Sequence, residues 1–106
     1  MNIKELVERS KAQADELGWN ERNIPVPEMI ALIHSEASEA LEAYRNKEPF
    51  SWTDGKKPMG IASEFADILI RVCHYAALLD INLDYEVERK LDYNLTRGHR
   101  HGGKVI

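Results

Sequence analysis

Two short acidic motifs carry the densest chemistry in the chain. Glu36-Ala37-Ser38-Glu39 and Glu64-Phe65-Ala66-Asp67 each set two carboxylates three residues apart. On a helix, residues three apart share a face. At about 100° per residue, Glu36 falls near the edge of an apolar stripe and Glu39 lies about 60° further out. Glu64 and Asp67 relate to their own helix in the same way. If the two helices pack antiparallel, four carboxylates converge. Like charges so close repel and raise one another's pKa values unless a cation intervenes. A divalent cation removes the difficulty. Hard oxygen ligands favour Mg²⁺ or Mn²⁺ over zinc. A carboxylate nest with open coordination positions also takes phosphate oxygens, which makes it a natural phosphate-transfer site. The plain alternative is a solvated acidic surface, because a chain with 12 Glu and 6 Asp repeats such spacings by chance. What favours the metal site is that both pairs border an apolar stripe rather than oppose it. Glu42 continues the series at three residues from Glu39 but points away from the stripe, so it is accessory.

Four helices must position these residues, and no convincing strand is visible. The first spans 2–17, with Ile3, Leu6, Val7, Ser10, Ala14 and Leu17 on one face and Gly18 as its stop. Pro25 and Pro27 bracket the start of the second, where a missing N–H costs nothing. That helix runs over 27–46, with Ile30, Ile33, Ala37, Ala40, Leu41 and Tyr44 as its apolar face. A break at 47–60 is punctuated by Pro49, Asp54-Gly55, Pro58 and Gly60. The third helix covers 60–79, with Ile61, Phe65, Ile68, Leu69, Val72, Ala76 and Leu79 inward. Asn82 is a good N-cap for a fourth over 83–97, in which Leu83, Val87, Leu91 and Leu95 face inward. Short connections predict an all-α, antiparallel four-helix bundle in a single domain of 106 residues. Residues 98–106 read as a flexible basic tail.

Composition narrows the class. No apolar run is long enough to span a membrane. The N-terminus lacks a signal-peptide core, and the lone Cys73 cannot form an intramolecular disulfide, which together fit a cytoplasmic protein. Residues 1–88 carry 17 acidic and 9 basic side chains, whereas 89–106 carry five basic and one acidic. An acidic body with a basic end argues against duplex nucleic acid as a partner and suits a small polyanion better.

The order Glu-x-x-Glu, a spacer over 40–63, then Glu-x-x-Asp resembles the all-α nucleoside triphosphate pyrophosphohydrolases of the MazG type. The stretch Lys90-Leu91-Asp92-Tyr93-Asn94-Leu95-Thr96-Arg97, followed by Arg100-His101-Gly102-Gly103-Lys104, is similar to that family's closing segment. The resemblance covers roughly residues 28–104. It implies a four- or five-helix unit that assembles as a homodimer or homotetramer. It also implies Mg²⁺-supported attack of water on the α-phosphorus of a nucleoside triphosphate, giving the monophosphate and pyrophosphate, in clearance of unwanted nucleotides. Carried over, Glu36, Glu39, Glu64 and Asp67 are the metal ligands and the catalytic carboxylates, and Lys90, Asn94 and Arg97 contact phosphate or sugar. The spacing i, i+4, i+7 of the last three puts them on one helix face, and arginine can grip two phosphate oxygens at once. In the loop at 47–60, Trp52 with Lys56 and Lys57 could stack on a base and hold phosphate, or Trp52 could fill a gap between subunits. Trp19 reads as a packing residue.

Two other functions stay open. Within the same superfold the substrate could be phosphoribosyl-ATP, or dUTP or dCTP alone. From a different class, the chain could be a non-catalytic helical interaction module whose acids only solubilise it. His34 points to another side of its helix than Glu36 and reads as a surface histidine. Cys73-His74 lacks the partners of a zinc site. No histidine has a glutamate three residues before it, so a di-iron bundle does not fit. His99 and His101 belong with the tail.

Overall fold

A computed structural model describes residues 1–97. Lys104, His99, His101 and the rest of the basic tail lie outside the described residues. The elements are α1 (Ile3–Glu16), α2 (Val26–Arg45), β1 (Trp52–Asp54), β2 (Lys57–Met59), α3 (Ile61–Leu78) and α4 (Leu83–Thr96). The fold is thus mostly helical, with the four expected helices and a small two-stranded sheet.

Local signals set the helix ends. The Asn2 side chain accepts from the Glu5 backbone N–H at 2.8 Å, and that of Asn82 accepts from the Tyr85 N–H at 3.1 Å. Each satisfies one of the first-turn donors that a helix leaves unpaired. Pro25 caps α2 and Pro27 sits in its first turn.

The strands correct the expectation that the chain, including the break at 47–60, holds no convincing strand. Trp52 pairs with Met59, Thr53 with Pro58 and Asp54 with Lys57. This register leaves Gly55-Lys56 as a two-residue loop. Gly55 has φ +63° while Lys56 stays at negative φ, the arrangement of a type II′ turn, which needs glycine first. Pro58 disguises the second strand in the sequence. A two-stranded ribbon tolerates it because its missing N–H falls where no third strand follows.

Gly60 joins the hairpin to α3 and is the tightest point of the chain. Its φ is +96° and ψ 177°, a region essentially restricted to glycine. A Cβ there would stand 2.5 Å from the Phe50 carbonyl oxygen and 2.6 Å from that of Pro49. The same Phe50 oxygen accepts from the Ala62 N–H at 2.9 Å, so it cannot retreat without loosening the first turn of α3. Gly60→Ala is therefore expected to destabilise by about 2 kcal/mol or more. Gly55→Ala, where a Cβ meets open space, is expected to cost about 1 kcal/mol for its positive φ alone. Denaturant midpoints of the two variants check this, and equal losses would remove the backbone clash as the cause.

Helix α3 is central and packs on α1 and on α2, whereas α4 lies mainly against α1. The bundle is accordingly built around three helices, with α4 at its margin and no residue of α4 buried. Small side chains line the contacts: Ser10 and Ala14 from α1, Ala40 and Ala43 from α2, and Cys73 and Ala76 from α3. They let the helices approach closely, but the core is thin.

That thin core overturns several expected inward positions. On α2 the buried residues are Met29, Glu36, Ala40 and Ala43. Ile30, Leu41 and Tyr44, read as facing inward, are half or more exposed, and so are Phe65 and Leu69 on α3. Leu91 is 61% and Leu95 85% exposed on α4, which likewise corrects their inward assignment. The physical reason is that α2 and α3 are apolar on two faces and each covers only one of the other's. Among the described residues, no helix is long and apolar enough to cross a membrane.

Candidate metal centre

The covered face of α2 delivers Glu36 to the first half of α3. There Glu64 and Asp67 meet it, and the three offer oxygen atoms all within 4.8 Å of one another. Glu39 borders Glu64, close enough to interact with it, but stands outside the tight group and is exposed. The meetings of Glu36 with Asp67 and Arg71, and of Glu39 with Glu64, run in opposite senses along the two helices. The two helices therefore run antiparallel to one another. Three of the four expected carboxylates converge. Glu42 faces away and lies 4.0 Å from Arg45.

Glu36 is buried, with 8% of its surface accessible, rather than at the edge of the covered face. Burying a carboxylate costs several kcal/mol or more unless its charge is matched. Half of the match is present. Arg71 donates from Nε to Glu36 Oε1 at 2.7 Å. Its Nη1 donates to the Tyr75 hydroxyl at 2.9 Å. The other oxygen, Glu36 Oε2, is buried without a hydrogen-bond partner, and so is Glu64 Oε2.

The electrostatics express the same deficit. Burial is the largest cause pushing the Glu64 carboxyl up to about 7, followed by a hydrogen bond to and repulsion by Glu39, then the charges of Asp67 and Glu36. A hydrogen bond between two carboxyls requires a shared proton, so it forms only while one of them is protonated. With both ionised, that bond is lost and only repulsion remains. Asp67 is also raised, first by burial and then by Glu36, against the opposing charges of Arg71 and Lys57. Lys57, from β2, is the hairpin's contribution to the site.

These donors fit a hard divalent cation. They are all oxygen, two are buried and unpaired, and exposed Asp67 leaves one side open to solvent. An octahedral ion that keeps several waters suits such a site.

On the far side of Arg71 lies a cavity of about 240 Å³ lined by Trp19, Ile24, Leu32, Arg71, His74 and Tyr75. His74 is buried and its Nε2 lies 2.7 Å from Asn20 Oδ1. Burial, helped by the Arg71 charge and opposed by Asp15, holds its pKa below the ordinary histidine value. The sequence singles out neither as a partner of the carboxylates: Arg71 goes unremarked, and His74 enters only as half of a rejected zinc pair with Cys73. A signal existed: Arg71 is seven residues after Glu64 and four after Asp67, and His74 seven after Asp67, so all share a helix face.

The remaining expected site residues lie elsewhere. Lys90 and Asn94 sit on α4 and Arg97 caps its end; the main neighbour of α4 is α1. Lys90 Nζ and the Arg97 guanidinium carbon stand 5.3 and 5.8 Å from the centre of the Tyr93 ring, so the two cations do share a face. The described contacts do not bring them to the carboxylates of their own chain. Trp52 donates from its indole N–H to Glu48 at 2.8 Å, which ties the hairpin to the turn that follows α2. His34 is exposed, and Cys73 is a free thiol in the core.

No protein-family model, curated protein or solved structure matches the chain, so the chemistry of the site stands on its own geometry.

Proposed function

We propose that the chain is a Mg²⁺-dependent nucleoside triphosphate pyrophosphohydrolase of the MazG type, acting in nucleotide-pool housecleaning. The observation that carries this reading is the pair of buried, unpartnered oxygens, Glu36 Oε2 and Glu64 Oε2, beside Asp67. A protein that only needed solubility would keep such carboxylates in water. The resemblance of the two acidic motifs and of the closing segment supports the reaction class.

When bound, Mg²⁺ would draw charge from the phosphate oxygens and so open the phosphorus to attack by water. Glu36, Glu64 and Asp67 would hold it. The chain's other residues position the substrate. Lys57 is close enough for its charge to act on Asp67 and would offset phosphate charge there. The aromatic-walled cavity shares Arg71 with the carboxylates and offers a flat apolar wall to a base. Hydrolysis of this kind rests mainly on positioning and electrostatics, which such a set can supply. The exposed apolar stripes of Ile30, Leu41 and Tyr44 on α2, and of Phe65 and Leu69 on α3, support assembly as a homodimer or homotetramer. In such an assembly Lys90, Asn94 and Arg97 of one copy would be available to the phosphates held by another.

The test is product analysis with a panel of canonical and modified nucleoside triphosphates, with Mg²⁺ and with a chelator. Pyrophosphate is expected from at least one of them, and chelation should abolish its release. Orthophosphate instead would mean a different bond is cut and would overturn the reading. No release from the panel or from phosphoribosyl-ATP would leave the interaction-module alternative.

A further inference from the structure

Arg71 does something unusual for a cation beside a metal site. It occupies one oxygen of a carboxylate and leaves the other bare. Its Nε holds Glu36 Oε1 at 2.7 Å, while Glu36 Oε2, on a side chain nine-tenths buried, has no partner. Arg71 is itself fixed. Its Nη1 is tied to the hydroxyl of buried Tyr75, and it forms part of the wall of the cavity shared with Trp19, Leu32 and His74.

We propose that Arg71 is a positioning residue that confines Glu36 to coordination through one oxygen, and so selects a small octahedral cation such as Mg²⁺ or Mn²⁺ over Ca²⁺. The inference rests on the metal-binding reading above and adds to it the residue that discriminates between ions.

The argument is one of ligand number and charge. Ca²⁺ takes six to eight oxygens and commonly uses both oxygens of a carboxylate, whereas Mg²⁺ demands six at shorter range and keeps several waters. A bidentate Glu36 would turn Oε1 toward the ion and bring Arg71's charge with it. Breaking the Arg71 bond instead would strand a half-buried guanidinium, which is costly. Held as it is, Glu36 supplies one oxygen. With Glu64 and Asp67 the protein then offers a short ligand set to be completed by waters or phosphate. Arg71 also cancels one of the three negative charges, which removes part of the attraction on which a loosely coordinated ion relies.

The experiment is metal binding alone, without turnover. Mn²⁺ affinity is measured from the spin-resonance signal of the free ion, and Mg²⁺ and Ca²⁺ affinities by competition. Wild type should bind Mn²⁺ and Mg²⁺ and prefer both to Ca²⁺. Arg71→Met should narrow the preference for Mn²⁺ over Ca²⁺ at least tenfold. Arg71→Lys, which can still donate one hydrogen bond to Oε1, should recover part of it. Tyr75→Phe frees only the distal anchor and should narrow the preference about threefold, which keeps the idea testable if Arg71→Met does not fold. A merely structural role would weaken all three ions alike and leave the ratio unmoved. An unchanged ratio in the folded variants overturns the inference while leaving the metal site standing. Failure of wild type to bind any of the three ions overturns the metal reading itself.

Discussion

Glu36→Gln is expected to lower Mg²⁺-dependent pyrophosphate release by at least a hundredfold, about 2.7 kcal/mol in the barrier. The substitution is nearly isosteric. Its carbonyl oxygen can keep the bond from Arg71 Nε, so the packing between α2 and α3 should survive. What changes is the other position. The bare oxygen of the wild type, buried and unpartnered, becomes an NH₂ group that presents hydrogens where a cation must approach. One buried negative charge is also lost, and the local balance shifts toward Arg71. Steady-state turnover measures the first effect. Thermal unfolding in chelator measures the second, and the midpoint should stay within a few degrees of wild type or rise. Glu42→Gln is the control, since Glu42 is exposed on α2 and turned away from the cluster; its turnover should stay within twofold. A Glu36→Gln protein with near-wild-type turnover would sink the assignment of the site.

The second large effect concerns stability without metal. The Glu64 carboxyl titrates near 7 in the folded chain against an ordinary value of 4.5. A raised acid binds more protons folded than unfolded between those values. By linkage, unfolding therefore becomes easier as pH climbs through that window, and the stabilisation is gone above about 7. Solvent contact at this half-buried position brings the effect to about 1–2 kcal/mol. Glu64→Gln keeps the shape and removes the titration. Its Tm in chelator should match wild type near pH 5 and exceed it by about 5–10 °C at pH 8.

The comparison with the variant matters because His74 works the other way. Its lowered pKa gives stability that is present above its ordinary value of 6.5 and lost as pH falls through the folded value. His74 is common to both proteins, so the difference between them isolates Glu64. Excess Mg²⁺ at pH 8 should raise the wild-type Tm and leave Glu64→Gln unmoved. Parallel pH profiles for the two proteins would show that Glu64 is not held out of its charged form. A site less stable when empty is the usual thermodynamic signature of one built for a ligand.

Much of the chain was legible in its own residues. Asn2, Asn82, Pro25 and Pro27 set helix starts through hydrogen bonds and dihedral limits that act within one turn, so they operate the same way in any surroundings. The pairing of Glu36 with Glu39, and of Glu64 with Asp67, on single helix faces follows from helical pitch alone. The hairpin was locally encoded too, in Asp54-Gly55, but Pro58 masked its second strand.

Tertiary structure decided what periodicity could not. Helix α2 offers two apolar stripes, one through Met29, Ala40 and Ala43 and one through Ile30, Leu41 and Tyr44. A hydrophobic pattern records that a face is apolar, not which neighbour covers it. Once α3 covered the first stripe, Glu36 moved from a margin into the interior and Glu39 was left at the rim. Arg71 came to rest against Glu36, 35 residues away in sequence. The burial that lifts Glu64, the bare oxygens and the cavity beyond Arg71 all follow from that one packing choice. They depend on distances between helices, and those are set by side-chain volume at the contact rather than by the order of residues along either helix.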